Sequence, residues 1–265
     1  MTFSPKYNKL LGKRILVLGG TSGIGFSVAE GCLEHGANII ISGSSEESIQ
    51  RSIDRLRSSY PAAGPEQIGG YACNLADIPN LETNIKGLLD KATVAGKLDH
   101  IAFTAGDIPA TLPITDISVT DIPPAMSIRL YGALIVAKFI PRFMEVSSGS
   151  SLTLTGGATV DKPRPAWSLT VAVGGALEAL TRALTVDLQP IRVNLVSPGF
   201  VHTGRFGRVV DTAEKLEAFL VSAKKGTTTG EVGRPEDVAE AYLYTMKDRS
   251  ITGEVIRSNG GKLLV

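Results

Sequence analysis

The sequence holds only two cysteines, Cys32 and Cys73, in 265 residues. Two thiols in stretches patterned like packed structure exclude a disulfide framework and a thiolate metal cluster; both read as buried and reduced, and no metal is expected. Neither sign of charge is in excess: 27 Lys and Arg stand against 26 Asp and Glu, a formal net charge of +1. That balance gives no electrostatic footprint for nucleic acid or an anionic membrane, and neither is expected as a partner. A long apolar run is missing too. No segment approaches the roughly 20 apolar residues of a membrane span, and Lys6, Asn8 and Lys9 interrupt the place where a secretory signal needs an apolar centre. A soluble, cytoplasmic chain that handles a small molecule is the expectation.

Hydrophobic residues make up 43% of the chain, enough for a sizeable core in one domain spanning residues 1–265, with 1–10 as an N-terminal extension. Apolar runs of strand length occur at Arg14 to Leu18, Ala37 to Ile41, Ile68 to Cys73, His100 to Thr104, Ser151 to Thr155, Arg192 to Val196 and Val255 to Ser258. Helical spacing fills most of the intervals, beginning with Ile24, Val28 and Cys32 and continuing with Ile49, Ile53 and Leu56. This alternation predicts an α/β fold: a single-domain Rossmann architecture, a doubly wound parallel sheet of about seven strands with helices on both faces. Residues 61–65 and 109–124 read as loops. Residues 200–230 form the longest stretch without a strand signal and, coming after the Arg192 strand, are expected to serve as a substrate lid.

Gly19, Gly23 and Gly25 punctuate the first strand-to-helix turn, with Thr21, Ser22 and Ile24 between them. Missing side chains there permit a tight bend and let a pyrophosphate approach a helix N-terminus. Glycine spacing alone is a weak signal, but a preceding strand and a succeeding helix within one βαβ unit are the context that gives it meaning. A nicotinamide dinucleotide is therefore expected, the alternative being a turn without a ligand. Where an acidic residue would take the ribose 2′-hydroxyl of NAD, the second strand ends in Ser42, Gly43, Ser44 and Ser45. No carboxylate stands there to repel a 2′-phosphate, and Arg51 would have to reach it from the next helix. NADP(H) is favoured over NAD(H), unless the serines merely make the turn.

The spacing Gly-x-x-x-Gly-Ile-Gly over residues 19–25 resembles the short-chain dehydrogenase/reductase family. So does much of the chain from about Leu11 to its end. Asn74, with Leu75 after it, stands where the family has an aspartate near the adenine, and Thr104-Ala105-Gly106 resembles its Asn-Ala-Gly turn. Residues 191–199, IRVNLVSPG, with Pro198, Gly199, Val201 and Thr203, resemble the segment that contacts the nicotinamide. GRPEDVAE at 233–240 and the Ile251-Thr252-Gly253 to Asn259-Gly260-Gly261 stretch resemble its C-terminal signature. The resemblance implies a homo-oligomer, dimer or tetramer, built on long helices near residues 121–145 and 164–188.

It also implies an asparagine, serine, tyrosine and lysine tetrad, and at those positions this sequence has Arg129, Gly156 or Gly157, Thr170 and Gly174. No Tyr-x-x-x-Lys occurs anywhere in it. An aliphatic hydroxyl is too weak an acid to replace a phenol whose pKa lies near 10, so ordinary ketone reduction is expected to be slow. Reduction of an iminium needs no proton donor, because hydride addition to a cationic C=N gives a neutral amine.

Four residues are candidates for the remaining work. Arg129 reads either as a fixed cation for a carbonyl or an anionic intermediate, or as a salt bridge on a helix face. Trp167, behind Pro163 and Pro165, reads as a pocket wall for a planar substrate or as core packing. Asp161 and Asp107 are candidate general acids or counter-ions, or solvated loop charges. Tyr131 should point away from Arg129. Arg129, the Pro-x-Pro-x-Trp stretch and the altered tetrad resemble a fungal branch of the family that includes reductases of prenylated indole alkaloid pathways; Arg164 departs from it, standing where that branch has an aspartate. The implied activity is an atypical NADPH-dependent reduction of an iminium-like or carbonyl substrate in secondary metabolism, such as a polycyclic or indole-containing amine. Two other readings stay open: a cyclase, Diels-Alderase or isomerase with NADP as a pocket component, and an NADP-binding pseudoenzyme.

Overall fold

The computed structural model describes residues 6–107, 111–204 and 212–265. Seven parallel strands run in the order β3-β2-β1-β4-β5-β6-β7, with β1 at Arg14–Leu18, β2 at Asn38–Gly43, β3 at Ile68–Ala72, β4 at His100–Phe103, β5 at Ser151–Thr155, β6 at Arg192–Pro198 and β7 at Val255–Ser258. Their near-continuous apolar sequences reflect burial on both faces, because helices cover each side. On one face lie α1 (Gly23–Glu34), α2 (Glu46–Ser59) and α8 (Pro235–Lys247), packed on Ile15, Val17, Ile39 and Ile41. On the other lie α3 (Leu81–Ala92), α5 (Gly132–Phe143) and α6 (Ser168–Asp187), packed on Leu16, Leu18, Ile101 and Leu152. The strand order reverses between β1 and β4, which opens a crevice at the carboxyl ends of these strands.

Several boundaries differ from the sequence expectation, each for a long-range reason. β6 continues two residues beyond Val196 because Ser197 and Pro198 pair with Arg257 and Ser258 of β7. β2 likewise reaches Gly43, paired through Ser42 and Gly43 with Tyr71 and Ala72. Thr104 leaves the β4 ladder, and its hydroxyl donates to the Leu18 carbonyl at 2.7 Å. The helix expected near 121–145 is three pieces: the short α4 (Ile122–Met126), which takes Pro123 and Pro124 in its first turn, a π-helical turn (Ser127–Tyr131), and α5.

The helix expected from Arg164 starts only at Ser168, because Ala166 adopts a left-handed φ of 64° and Trp167 occupies the N-cap. Among the described residues α6 is the one helix long and apolar enough to cross a membrane, yet its Leu169, Val173, Leu177 and Leu184 are buried. The expected lid region contains α7 (Ala213–Lys225), whose N-cap Thr212 hydroxyl accepts from the Lys215 amide. Residues 205–211 of that region lie outside the described residues, as do residues 108–110 of the loop expected after β4.

Candidate functional site

The turn after β1 is held from beneath and from two sides. The Gly19 and Gly20 amides donate to the Ser42 carbonyl at 2.9 and 3.1 Å. Gly19 has φ +82°, and a Cβ on it would lie 2.6 Å from the Ala105 nitrogen, so neither the backbone conformation nor the space admits another residue. A Cβ on Gly25 would run into the Gly19 carbonyl and the Thr104 hydroxyl. The N-terminus of α1 is thereby pressed to the sheet edge with Ser22, Gly23, Ile24 and Gly25 facing a cavity. First-turn amides have no intrahelical acceptor, the first turn carries no acidic side chain, and the N-cap Ser22 hydroxyl makes no capping bond. Open amides at the positive end of a helix dipole fit the pyrophosphate of a dinucleotide.

The residues expected around the adenosine end are distributed differently. Ser42 is buried, and its carbonyl builds the turn. Ser44 and Ser45 are exposed, Ser45 capping α2 through the Ser48 amide at 3.3 Å. Arg51 is paired with Glu47 on the exposed face of α2, and Glu46 shares that first turn. The Thr21 carbonyl accepts from Ser52 at 3.1 Å. Asn74 is exposed, its side-chain oxygen accepting from the Ala76 amide at 3.0 Å. Leu75, beside it, buries its side chain with Leu81 and Ile85 in the core.

From the glycine turn a cavity of about 760 Å³ extends under the segments that come after β4, β5 and β6. Thr104, Pro198, Gly199, Val201 and Thr203 form one wall, Thr104 and Thr203 lying against the turn. Ala105 and Gly106 lie behind that wall, Ala105 against the core and Gly106 beneath Arg129. Arg129 projects from the π-helical turn into the cavity; its Nη1 donates to the Thr155 carbonyl at 3.1 Å. The guanidinium lies so close over Gly106 that a Cβ there would be 2.5 Å from Nη2 and 2.6 Å from Cζ. That placement puts the charge inside the cavity rather than on an outer helix face. Trp167, half-buried, lines the same cavity, as do Asp107, Thr170 and Gly174. On the preceding segment, Val160 fills the space beside Gly174, where a Cβ would stand 2.5 Å from Val160 Cγ2. One side of the cavity is closed by Phe219 of α7, edge-on to Phe200 at 4.7 Å between ring centroids.

Asp161 is a correction. Both its carboxylate oxygens accept from Arg257, at 3.0 Å each, and it does not line the cavity. Tyr131 packs against the core and, unlike Arg129, does not line the cavity. Sequence reasoning missed two other contributors. The buried Thr155 hydroxyl donates to the Phe103 carbonyl at 2.6 Å, so the Tyr242 hydroxyl, 2.6 Å away, must be the donor to Thr155. Burial pushes the Tyr242 phenol above its ordinary range, outweighing the Thr155 bond and the Arg129 charge. Tyr242 thus braces, through Thr155, the strand end on which Arg129 is anchored; nothing in its helical spacing marks it apart from a core residue. Lys262, in the turn Lys262–Leu264, also lines the cavity, and burial, then Arg164 and Lys162, push its amine below the ordinary lysine value.

A parallel sheet with a glycine turn opening a helix at its switch point, and a cavity extending from that turn, define a dinucleotide-binding Rossmann protein. The model of the SDR-like Rossmann domain matches residues 6–265, and the chain belongs to the short-chain dehydrogenase/reductase family. It is 43% identical over 256 residues to the short-chain dehydrogenase/reductase malC of Malbranchea aurantiaca, covering 96% of each chain. It is 37% identical over 260 residues to fsr5 of Gibberella fujikuroi, covering 97% of each. The solved structure of MalC, described as a reductase/Diels-Alderase, superimposes with a TM-score of 0.93 at 42% identity, covering 98% of this chain and 100% of that one. An NADPH-bound short-chain oxidoreductase of Pseudomonas aeruginosa with an atypical catalytic centre shares the fold, with a TM-score of 0.84 at 20% identity, covering 95% of this chain and 98% of that one. Membership in the family implies a nicotinamide cofactor and a small-molecule substrate, in keeping with the open amides of α1.

Proposed function

We propose that the protein is an atypical NADPH-dependent reductase of secondary metabolism that acts on an activated, iminium-like C=N substrate. The observation that carries this reading is the Arg129 guanidinium, seated on Gly106 and the Thr155 carbonyl in one cavity with Trp167 and Thr170. The amides of Gly23, Ile24 and Gly25 would hold the pyrophosphate, and the exposed Ser44 and Ser45 the 2′-phosphate. The bound nicotinamide would supply hydride. Thr170 takes the place of the family's tyrosine and Gly174 that of its lysine, a pair that cannot supply a proton at neutral pH. The Tyr242 phenol cannot substitute, since it is buried and raised. Hydride addition to a cationic C=N balances without a proton, which matches a cavity lacking a suitable phenol among the described residues. Arg129 donates to a carbonyl oxygen next to the reacting carbon, and Trp167 stacks on a planar, cationic substrate.

The similarity to a relative described as a reductase/Diels-Alderase favours a second reading, in which the same cavity also orients a cycloaddition. A single-turnover assay separates the two. Loss of nicotinamide absorbance with cyclic iminium salts, and little with matched ketones, is the expected result. Unchanged absorbance across both panels sinks the reductase reading; cyclised product without cofactor oxidation then supports the second, and neither change leaves an NADP-binding pseudoenzyme. NADPH should bind about tenfold or more tightly than NADH, and equal affinities would remove the 2′-phosphate assignment alone.

A further inference from the structure

Two cations, Arg164 and Lys262, line the cavity with Trp167, and a third, Lys162, is tied to Lys262. Lys162 and Arg164 come from the segment between β5 and α6, Lys262 from the turn after β7. The Lys162 ammonium donates to the Lys262 carbonyl at 3.2 Å, tying the two segments together. The Arg164 guanidinium lies 5.9 Å from the Trp167 ring centroid. Arg164, Lys262 and Trp167 all line the cavity. Among the described residues no carboxylate forms an ion pair with any of the three: the nearest in sequence, Asp161, is committed at both oxygens to Arg257. The cavity's own carboxylates, Asp107 and Asp121, come from the segment after β4 and the start of α4, and Asp121 is held by the Ser118 amide and hydroxyl.

Lys162 and Arg164 are exposed and screened by solvent, but Lys262 is half-buried beside them, where a neighbouring anion would lower the cost of its charge. The depressed Lys262 amine is the direct trace of its burial and of repulsion by these two neighbours. We propose that Arg164 and Lys262, with Lys162 holding the Lys262 turn in place, form an anion-recognition site that takes a carboxylate carried by the substrate, with the planar part of the same molecule against Trp167. This rests on the reading of the cavity as the substrate site. It adds a substrate class: an iminium that also bears a carboxylate, its two charges matched to different ends of one cavity.

The single tryptophan supplies the assay. With the full chain saturated in NADP⁺, Trp167 emission is titrated with 3-phenylpropionate and with its neutral counterpart 3-phenylpropanamide. The carboxylate is expected to bind about tenfold more tightly than the amide, and that advantage to weaken with added salt. Lys262→Met should reduce the preference to about twofold or less, Lys262→Arg should keep most of it, and NADP⁺ affinity should be the same in all three proteins. Equal affinities for acid and amide, a preference that survives Lys262→Met combined with Arg164→Met, or no saturable change with either probe would each overturn the proposal. The two readings fail separately. A protein that prefers the acid but oxidises no NADPH sinks the reductase reading alone; one that reduces iminium salts yet binds both probes equally sinks this one alone.

Discussion

Replacing Gly106 with alanine tests whether Arg129 is held as a working part of the site. Gly106 is not in the left-handed region, so alanine suits its backbone; what it lacks is room, because the new Cβ would lie 2.5–2.7 Å from Nη2, Cζ and Nε of Arg129. Ordinary carbon contacts begin near 3.5 Å, so the guanidinium must retreat by about 1 Å. That movement breaks the 3.1 Å bond from Arg129 Nη1 to the Thr155 carbonyl. A hydrogen bond from a charged donor contributes about 1.5–3 kcal/mol, toward the lower figure for a half-buried group. Thermal unfolding should therefore drop by about 3–6 °C at the 2–4 °C per kcal/mol of a chain this size. Turnover should fall further, by about a hundredfold, since a misplacement of about 1 Å in a positioning group has that effect. The decisive comparison is the double variant. Once Arg129→Ala has emptied the space, Gly106→Ala should be neutral or stabilise by about 0.5 kcal/mol, giving a coupling energy of about 1–2 kcal/mol in a double-mutant cycle. Strictly additive losses would refute the packing argument, and an unchanged turnover in Gly106→Ala would remove Arg129 from the chemistry.

Burial lowers His100 to about 3, and its Nδ1 lies 2.9 Å from the Ser151 hydroxyl. The unfolded chain therefore takes up this proton at higher pH than the folded one does, and stability should fall as pH drops from about 6.5 toward 3, by about 3 kcal/mol at pH 4.5. Urea midpoints should show a shallower acid slope for His100→Asn, and identical slopes would contradict the assignment. Desolvation raises the thiols of Cys32 and Cys73 to about 12 and about 11, so neither should be alkylated in the native chain at neutral pH, while both react in denaturant. Trp167→Ala should lower kcat/KM on an iminium substrate by about tenfold or more with NADPH affinity unchanged, and Trp167→Phe should recover most of it; a loss confined to cofactor binding would mean that the ring packs against the dinucleotide instead.

The glycine turn was legible in the sequence because its requirements are local: a strand, a bend and a helix succeed one another within a short span. Arg129 and Trp167 could be singled out because each stands at a fixed offset from a recognisable helix, and both do line the cavity. Asp161 and Tyr242 could not be assigned that way. The partner that removes Asp161 from the cavity, Arg257, is 96 residues further on, and the Thr155 hydroxyl that receives the Tyr242 proton is 87 residues away. Composition holds no trace of such pairings, since they exist only when β5, β7 and α8 are brought together by the sheet. Lys262 escapes a sequence reading for the same reason, as a lysine near a chain end carries no pattern of its own. The extra length of β6 was invisible because its last two residues become strand only by pairing with β7.

The π-helical turn at Ser127–Tyr131 has a consequence for how this region tolerates change in length. A wide turn spends one residue more than a regular helix needs to cover the same rise. Cutting one residue from it would let α4 and α5 join with ordinary bonding and keep their places, while a residue left inside the turn shifts by about 100° around the axis. The chain would keep its helix and lose the aim of Arg129. In most helices a deletion is a defect of folding first and of function second; here the order is reversed, because the surplus residue sits in the turn that carries Arg129.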